Sequence, residues 1–281
     1  MRKSTLSRYI NRASYLIAMD GLAHLLSFYS SPEPRIVFRK DDETLDLVLQ
    51  GCLSIRFSVS RHCIGYSDDE GWKSCPERNR GYQQCYACRK RDISHVYTCL
   101  DFTGYEDIEQ EYVRQDFSIY LAQFGNEIIK CGVTRSERVA QRTMEQGADH
   151  WIELMRFDDA RQAYAAEMRL QRDFNLCNAV RNSTKLALLG QSADPTSLES
   201  IAKEIIQKAE KDPLVSKLLV RDARIVSHSF HVPRSPKIAY RIDGKIMGSK
   251  SKLLFFGSKG QDFVVDMSKN TGRLFRMESR G

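Results

Sequence analysis

Four cysteines carry the clearest chemistry in this sequence. Cys63, Cys75, Cys85 and Cys88 lie close together, and the last two form the knuckle Cys85-Tyr86-Ala87-Cys88. Two residues between that pair let one tight turn present both sulfurs to a single ion, and four soft donors satisfy a tetrahedral ion such as zinc. Four thiolates leave no open position for water, so the zinc they imply is structural. The intervals before the knuckle, eleven and then nine residues, are irregular, and Cys99 is an alternative to Cys63 as a ligand. Cys52, Cys131 and Cys177 stand apart and read as core thiols. A disulfide framework is the weaker reading, because eight cysteines would need an oxidising compartment to pair. A group of free thiols is the remaining alternative.

A single carboxylate is the second candidate. After Asp158-Asp159 the spacing is helical, and Glu167 falls on the face shared by Ala160, Ala163, Tyr164, Met168 and Gln171. A carboxylate on an inward stripe needs a partner, because burying it alone is very costly. That partner is either a divalent cation, which carboxylate oxygens suit, or an arginine. Arg142, on the preceding helix, is placed to point the same way. A plain Glu–Arg bridge, or a Glu at the edge of the face that reaches solvent, is the structural alternative. His62 beside Cys63 is an additional candidate ligand, whereas His228 and His231 read as structural or exposed. No Ser–His–Asp or Cys–His arrangement is supported by sequence order. Gly257-Ser258-Lys259-Gly260 lacks the strand–loop–helix setting of a phosphate loop and reads as a hairpin turn.

The elements that must position these groups follow from the periodicity. Thr5 to Tyr29 has helical spacing, with Gly21 as a break. Arg35 to Phe38, Leu45 to Leu49 and Leu53 to Val59 read as strands. The stretch from Arg61 to Cys99 has no apolar period and needs a metal as its organiser. Phe117 to Phe124 and Glu127 to Val133 are strands joined by a Gly125-Asn126 turn. A helix capped by Ser136 follows, then a strand over Trp151 to Phe157, then a helix capped at Asp158-Asp159 and running to about Phe174. Leu198 to Glu210 is an amphipathic helix, and from Leu214 onward short β-rich runs suggest a small antiparallel sheet or barrel.

Composition sets the outer limits. The chain has 281 residues, 42% of them hydrophobic and 28% charged, the balance of an ordinary soluble protein. No apolar run approaches the roughly 20 residues that span a bilayer, and no signal peptide is apparent, so a cytoplasmic location with reduced thiols and no membrane partner is expected. Leu214 to Gly281 holds 14 Lys and Arg against 5 Asp and Glu, a net +9 within a chain total of +7. Such a segment fits a polyanion partner such as nucleic acid, or is a basic solvated surface.

Two resemblances sharpen this reading. Ser118-Ile119-Tyr120, Lys130-Cys131-Gly132, Arg142 and Glu167 resemble the skeleton of the GIY-YIG nuclease fold. That resemblance implies Tyr120 as the first-strand Tyr, Arg142 as the helical Arg, Glu167 as the metal-binding Glu and Asn175 or Asn178 as a late Asn around a scissile phosphate. Lys130 stands where the second Tyr belongs. More of the chain, including Arg61-His62-Cys63-Ile64-Gly65-Tyr66, Gln84-Cys85-Tyr86-Ala87-Cys88 and Gly244-Lys245-Ile246-Met247-Gly248, is similar to a prokaryotic family called domain of unknown function 2797. It implies a cysteine-bound zinc followed by a GIY-YIG-like unit, and it brings no established activity.

The expectation is therefore an α+β protein in five parts: an N-terminal helix and strands (1–60), a four-cysteine zinc-binding module (61–100), a central GIY-YIG-like ββαβα unit (115–180), a helical linker (181–213) and a small antiparallel β-domain (214–281). Functionally it is a zinc-containing, nucleic-acid-associated protein. If catalytic, it is a Mg- or Mn-dependent endonuclease using Tyr120, Lys130, Arg142 and Glu167. A non-catalytic nucleic-acid or protein-binding module is the alternative.

Overall fold

The structure, a computed structural model, describes residues 21–103 and 106–279. In chain order the elements are β1 (Ala23–Tyr29), β2 (Arg35–Lys40), β3 (Glu43–Val48), β4 (Cys52–Arg61), β5 (Tyr66–Asp68), β6 (Gly71–Lys73), α1 (Tyr86–Arg91), α2 (Ile93–Cys99), α3 (Glu106–Val113), β7 (Phe117–Phe124) and β8 (Ile128–Arg135). A 3-10 turn over Ser136–Arg138 leads into α4 (Val139–Gln146), then β9 (His150–Phe157), α5 (Ala160–Asp173), α6 (Asn182–Ala187), α7 (Thr196–Glu210), α8 (Pro213–Ser216) and β10 (Val226–Ser227). The chain finishes with β11 (Lys237–Ile238), β12 (Ile242–Lys250), β13 (Leu253–Ser258), β14 (Gln261–Asp266) and β15 (Arg273–Ser279). Mixed α+β architecture is as expected. No helix among the described residues is long and apolar enough to cross a membrane.

The described residues divide into two compact units, one of 21–101 and 231–279, the other within 102–230. In the first, nine strands form one sheet in the order β11-β14-β13-β12-β4-β15-β1-β2-β3, antiparallel except for the β11–β14 pair. β15 lies between β4 and β1, so the last strand completes a sheet begun by the first four. The core shows why. Phe275 of β15 packs edge-on against Phe38 of β2, with ring centroids 5.6 Å apart, and both are fully buried beside Ile55, Leu254 and Met277. Each such side chain contributes roughly 1.5–3 kcal/mol when buried, and the core cluster draws them from both ends of the chain. This corrects the expected free-standing β-domain over 214–281. Residues 214–230 belong to the other unit, and the strands after them share the N-terminal sheet. The hairpin at Lys259-Gly260 is present, with φ of 50° and 73° at its two loop residues between the paired Ser258 and Gln261.

The helix expected over Thr5 to Tyr29 lies outside the described residues up to position 20. From Ala23 onward it is replaced by β1. The misleading signal is physical. Leu25 faces the main core, Leu26 packs on the opposite side with Val37 and Ile64, and the pairing with β2 shifts register between Leu25 and Ser27. A strand buried on both faces at a bulge presents adjacent leucines, as a helix does.

The second unit is a four-stranded antiparallel sheet in the order β10-β9-β7-β8. All eight residues of central β7 are buried. Gly125, at φ 60°, turns the β7–β8 hairpin, and Asp159 caps α5 by accepting the Gln162 N–H at 3.0 Å. α5 packs on β7, β8 and β9. The segment expected as a linker is part of this unit. Leu198, Ala202, Ile205 and Ala209 of α7 are all buried, and α7 packs on β7 and β9.

Candidate functional site

The cysteine region is tied down before any metal is considered. Beyond β4 the chain pairs with residues 79–83: Cys63 donates its N–H to Asn79 O at 2.9 Å and Ile64 donates to Gln83 O at 3.0 Å. Gly65 then turns at φ +83°, and a Cβ there would sit 1.9 Å from the Lys73 carbonyl oxygen, so glycine alone fits. Asp92, buried, accepts from the Ser67 N–H at 3.2 Å, the Ser94 N–H at 3.0 Å and Gln84 Nε2 at 2.8 Å. It thereby caps α2 and ties it to β5 and to the residue before the knuckle.

This frame gathers four buried sulfurs. The Sγ atoms of Cys63, Cys75, Cys85 and Cys88 all lie within 4.8 Å of one another, and Cys75 and Cys85 are 3.9 Å apart. A tetrahedral ion with Zn–S bonds of about 2.3 Å sets its sulfurs about 3.8 Å apart. The Gly65 N–H reaches Cys63 Sγ at 3.4 Å and the Cys85 N–H reaches it at 3.2 Å. Donors directed at a sulfur favour its thiolate. Burial raises the thiols of Cys63 and Cys88. It also pushes Cys85 up, but hydrogen bonds from Asn79 and the neighbouring thiols outweigh it and hold Cys85 at about 6. The donor set, its spacing and its closure fit a metal such as zinc, and among the described hydrophobic side chains Tyr66 packs against the sulfurs. Cys99 is not in this group: it is exposed, with its sulfur 3.4 Å from His95 Nδ1. Cys131 is buried as expected, whereas Cys52 is exposed on β4. His62 does not join the sulfurs, and its ring lies edge-on to His24 at 6.1 Å.

The second cluster surrounds β8. Tyr120 on β7 pairs directly with Gly132 on β8, and Lys130 is two residues from Gly132 on the same face. A Cβ at Gly132 would lie 2.5 Å from the Tyr120 hydroxyl and 3.0 Å from Lys130 Nζ. The missing side chain is the space that both groups occupy. Gln146, in the last turn of α4, donates to the Tyr120 hydroxyl at 2.9 Å. Lys130 Nζ lies 5.9 Å from the centre of the Tyr120 ring and donates to the Cys131 carbonyl at 3.0 Å. The outer edge of β8 is closed piecewise: the Cys131 N–H goes to Cys177 O at 3.2 Å, and the Val133 N–H goes to the Glu167 carboxylate. Gln171 holds that carboxylate from the other side at 3.0 Å.

The electrostatics tie the four expected residues together. Burial raises the carboxyl of Glu167, opposed by the ammonium of Lys130 and the Val133 N–H. Burial lowers Lys130, and Glu167 counters it. Burial pushes the phenol of Tyr120 up to about 12, with Arg142 and Gln146 pulling down and Glu167 pushing up. Arg142 is half exposed, and its nearest acid is Glu145 at 3.7 Å, not Glu167. A sealed Glu167–Arg142 bridge is therefore not what forms. Asn175 and Asn178 are exposed. Asn175 has a helix-ending role instead, at φ 51° just past α5, with the Leu176 N–H closing onto Gln171 O at 2.9 Å.

Two contributors were missed. Tyr164, one turn before Glu167, feels the charges of Glu167, Arg142 and Tyr120 and bonds Tyr112. Its position on the Glu167 face was visible, but there it reads as core. Gln146 had no sequence signal.

The family model described as protein of unknown function (DUF2797) matches residues 52–274, and the chain belongs to that family. No curated protein and no solved structure matches it.

Proposed function

We propose that this is a zinc-stapled, nucleic-acid-associated protein whose β7–α5 unit, similar to the GIY-YIG nuclease fold, engages a phosphodiester and cleaves it with Mg²⁺ or Mn²⁺. The observation that carries this is the packing of Tyr120 and Lys130 around Gly132 and of the Glu167 carboxylate onto Val133 of β8, with the half-exposed Arg142 near enough to act on Tyr120. The order hairpin, helix, strand, helix, with β7 between β8 and β9, supports the same resemblance.

The residues divide the work as follows. Glu167 and its half-open surroundings would hold the divalent ion, whose contribution is Lewis-acid stabilisation of the phosphate. Arg142, exposed, takes non-bridging phosphate oxygens and offsets charge that develops on them. Tyr120 remains protonated at neutral pH, since burial pushes its phenol up to about 12, so it does not act as a base; at 1% exposure it reaches only an oxygen drawn into the cluster beside Lys130. Gln146 keeps that hydroxyl in one orientation.

A second reading, binding without cleavage, has its own observation. The ammonium of Lys130 already faces the Glu167 carboxylate, where it does part of a cation's work. One experiment separates the two. Purified full-length protein is incubated with labelled DNA and RNA, with and without Mg²⁺ or Mn²⁺. Metal-dependent cleavage lost in Glu167→Gln supports the nuclease. Binding that weakens steeply with salt but never cleaves supports the second reading. Cleavage that survives Glu167→Ala assigns the activity elsewhere, and absence of both binding and cleavage overturns both.

A further inference from the structure

Outside the Tyr120 cluster, the second unit contains a cavity made by a sheet edge that opens and closes again. Arg156 donates its N–H to Leu218 O at 2.8 Å, and Val220 donates to Leu154 O at 2.9 Å, so residues 218–220 pair with the upper half of β9. Val226 of β10 pairs with Trp151 lower down. Between them residues 221–225 leave the edge opposite Glu153. The gap is a cavity of about 580 Å³, within the range of small-ligand sites.

Its inner wall is neutral and its rim is not. Glu153 accepts from Ser118 Oγ at 2.5 Å and from Arg156 Nε and Nη2 at 2.7 and 2.9 Å, so that charge is already matched. The loop adds Lys217, Arg221 and Arg224, all exposed, against Asp222 as its one acid. None of the three cations has an acidic partner among the described residues. The site therefore selects an anion, and two guanidinium forks on one loop suit a phosphate better than a carboxylate-sized partner. Placement adds to this. Tyr120 pairs with Glu153, and Ser118 with Arg156, so the cavity wall projects from the sheet face that carries Tyr120. The cavity opens beyond β9 and the cluster gathers at β8, with β7 between them, so the two strands that carry them lie two strand spacings apart, about 10 Å.

We propose that this cavity is a second phosphate site, where Lys217, Arg221 and Arg224 hold the backbone of a nucleic-acid strand that runs on across the sheet to the Tyr120–Glu167 cluster. The proposal rests on the phosphodiester reading of that cluster, and the test keeps the two apart.

Full-length protein is titrated into labelled single-stranded DNA and RNA 20-mers by fluorescence anisotropy, over a series of salt concentrations. Two multiple variants are compared: Lys217→Gln/Arg221→Gln/Arg224→Gln, and Lys130→Gln/Arg142→Gln. The loop variant is expected to weaken binding by about tenfold or more and to flatten the log–log salt dependence by about 2, because three single-strand phosphate contacts are lost. Should that variant melt lower than the wild type, Arg221→Gln and Arg224→Gln are measured singly, each expected to flatten the slope by about 0.7. Wild-type-like binding by the loop variants, with the cluster variant weakened, overturns the cavity and leaves the cluster reading standing. The reverse pattern keeps the cavity and removes the cluster. Calorimetry with inorganic phosphate provides the last arm: phosphate uptake lost in the loop variant, without any oligonucleotide binding, makes this a site for free phosphate and overturns the nucleic-acid proposal. No binding of any probe overturns both.

Discussion

Replacing Gly65 by Ala tests the metal centre at its most sensitive point. The new Cβ would lie 1.9 Å from the Lys73 carbonyl oxygen and 3.0 Å from the backbone carbons of Lys73 and Ser74. These are backbone atoms, so no side-chain rotation relieves the contact, and the end of β6 must retreat. Lys73 is two residues before Cys75, and Gly65 is two residues after Cys63 and donates to its sulfur at 3.4 Å. The displacement therefore falls between two of the four sulfurs. A metal site tolerates only about 0.2 Å of error in its bond lengths, and loss of supporting contacts around a metal ordinarily costs about 10–100-fold in affinity. Residence at φ +83° adds a strain of about 1–2 kcal/mol for alanine. The expected result is one zinc per wild-type chain, and an affinity in Gly65→Ala lower by at least about tenfold, measured by competition with a chromophoric chelator. Chelation should lower the wild-type melting temperature far more than that of Cys88→Ser, which has already lost a ligand. If Gly65→Ala binds zinc as tightly as the wild type, or if wild-type protein carries no metal, the four sulfurs are not a coordination sphere.

Two further outcomes follow from the second unit. Gly132→Ala places a methyl 2.5 Å from the Tyr120 hydroxyl, and Tyr120 is only 1% exposed. Overpacking should cost about 1–3 kcal/mol, and a Gly132→Ala/Tyr120→Leu double variant should recover part of it. Additive losses in denaturant melts would refute the contact. Glu167 titrates above its ordinary 4.5 because it is buried. A carboxyl raised in the folded state costs stability when ionised, and the cost disappears as pH falls through the folded value towards 4.5. The melting difference between Glu167→Gln and wild type should therefore shift in favour of wild type across that window, and Mg²⁺ at neutral pH should raise the melting temperature of wild type alone. A pH-independent difference would show that Glu167 is not desolvated.

What could be read from the sequence was what is encoded locally. Gly125-Asn126 specifies a hairpin between its own neighbours, and Asp159 caps the helix that begins one residue later, so β7, β8 and α5 were located to within a residue or two. β15 had no comparable signal of its neighbours. Its partners β4 and β1 pair with it from 212 to 252 positions earlier in the chain, and nothing near Phe275 announces Phe38. The same reasoning accounts for the site. Glu167 was legible because a charge on an apolar helical stripe is a local contradiction. Gly132 was not, because its importance lies in a cross-strand approach to Tyr120 that only the paired sheet creates.

The cysteines were the easiest residues to interpret for a deeper reason. Between β4 and α2 the chain buries few large apolar side chains. Tyr66 packs against the sulfurs, while Ile64 and Trp72 reach back to Leu26 and Val37 of the sheet. A segment of this length without a core cannot offset the entropy of ordering its backbone, about 1–2 kcal/mol per residue. Something must supply that free energy where the two sections of the sheet meet, since the same segment starts from His62, whose N–H is held by Gly272 O next to β15. A structural zinc contributes on the order of 10 kcal/mol or more when it organises its ligands, a contribution of the kind this segment lacks. In the second unit no such deficit exists: β7 is buried along its whole length. Its polar residues around β8 serve the fold in part, since the Glu167 carboxylate accepts the Val133 N–H at the strand's edge and Gln146 holds the Tyr120 hydroxyl, and the proposed phosphodiester site is built on that frame.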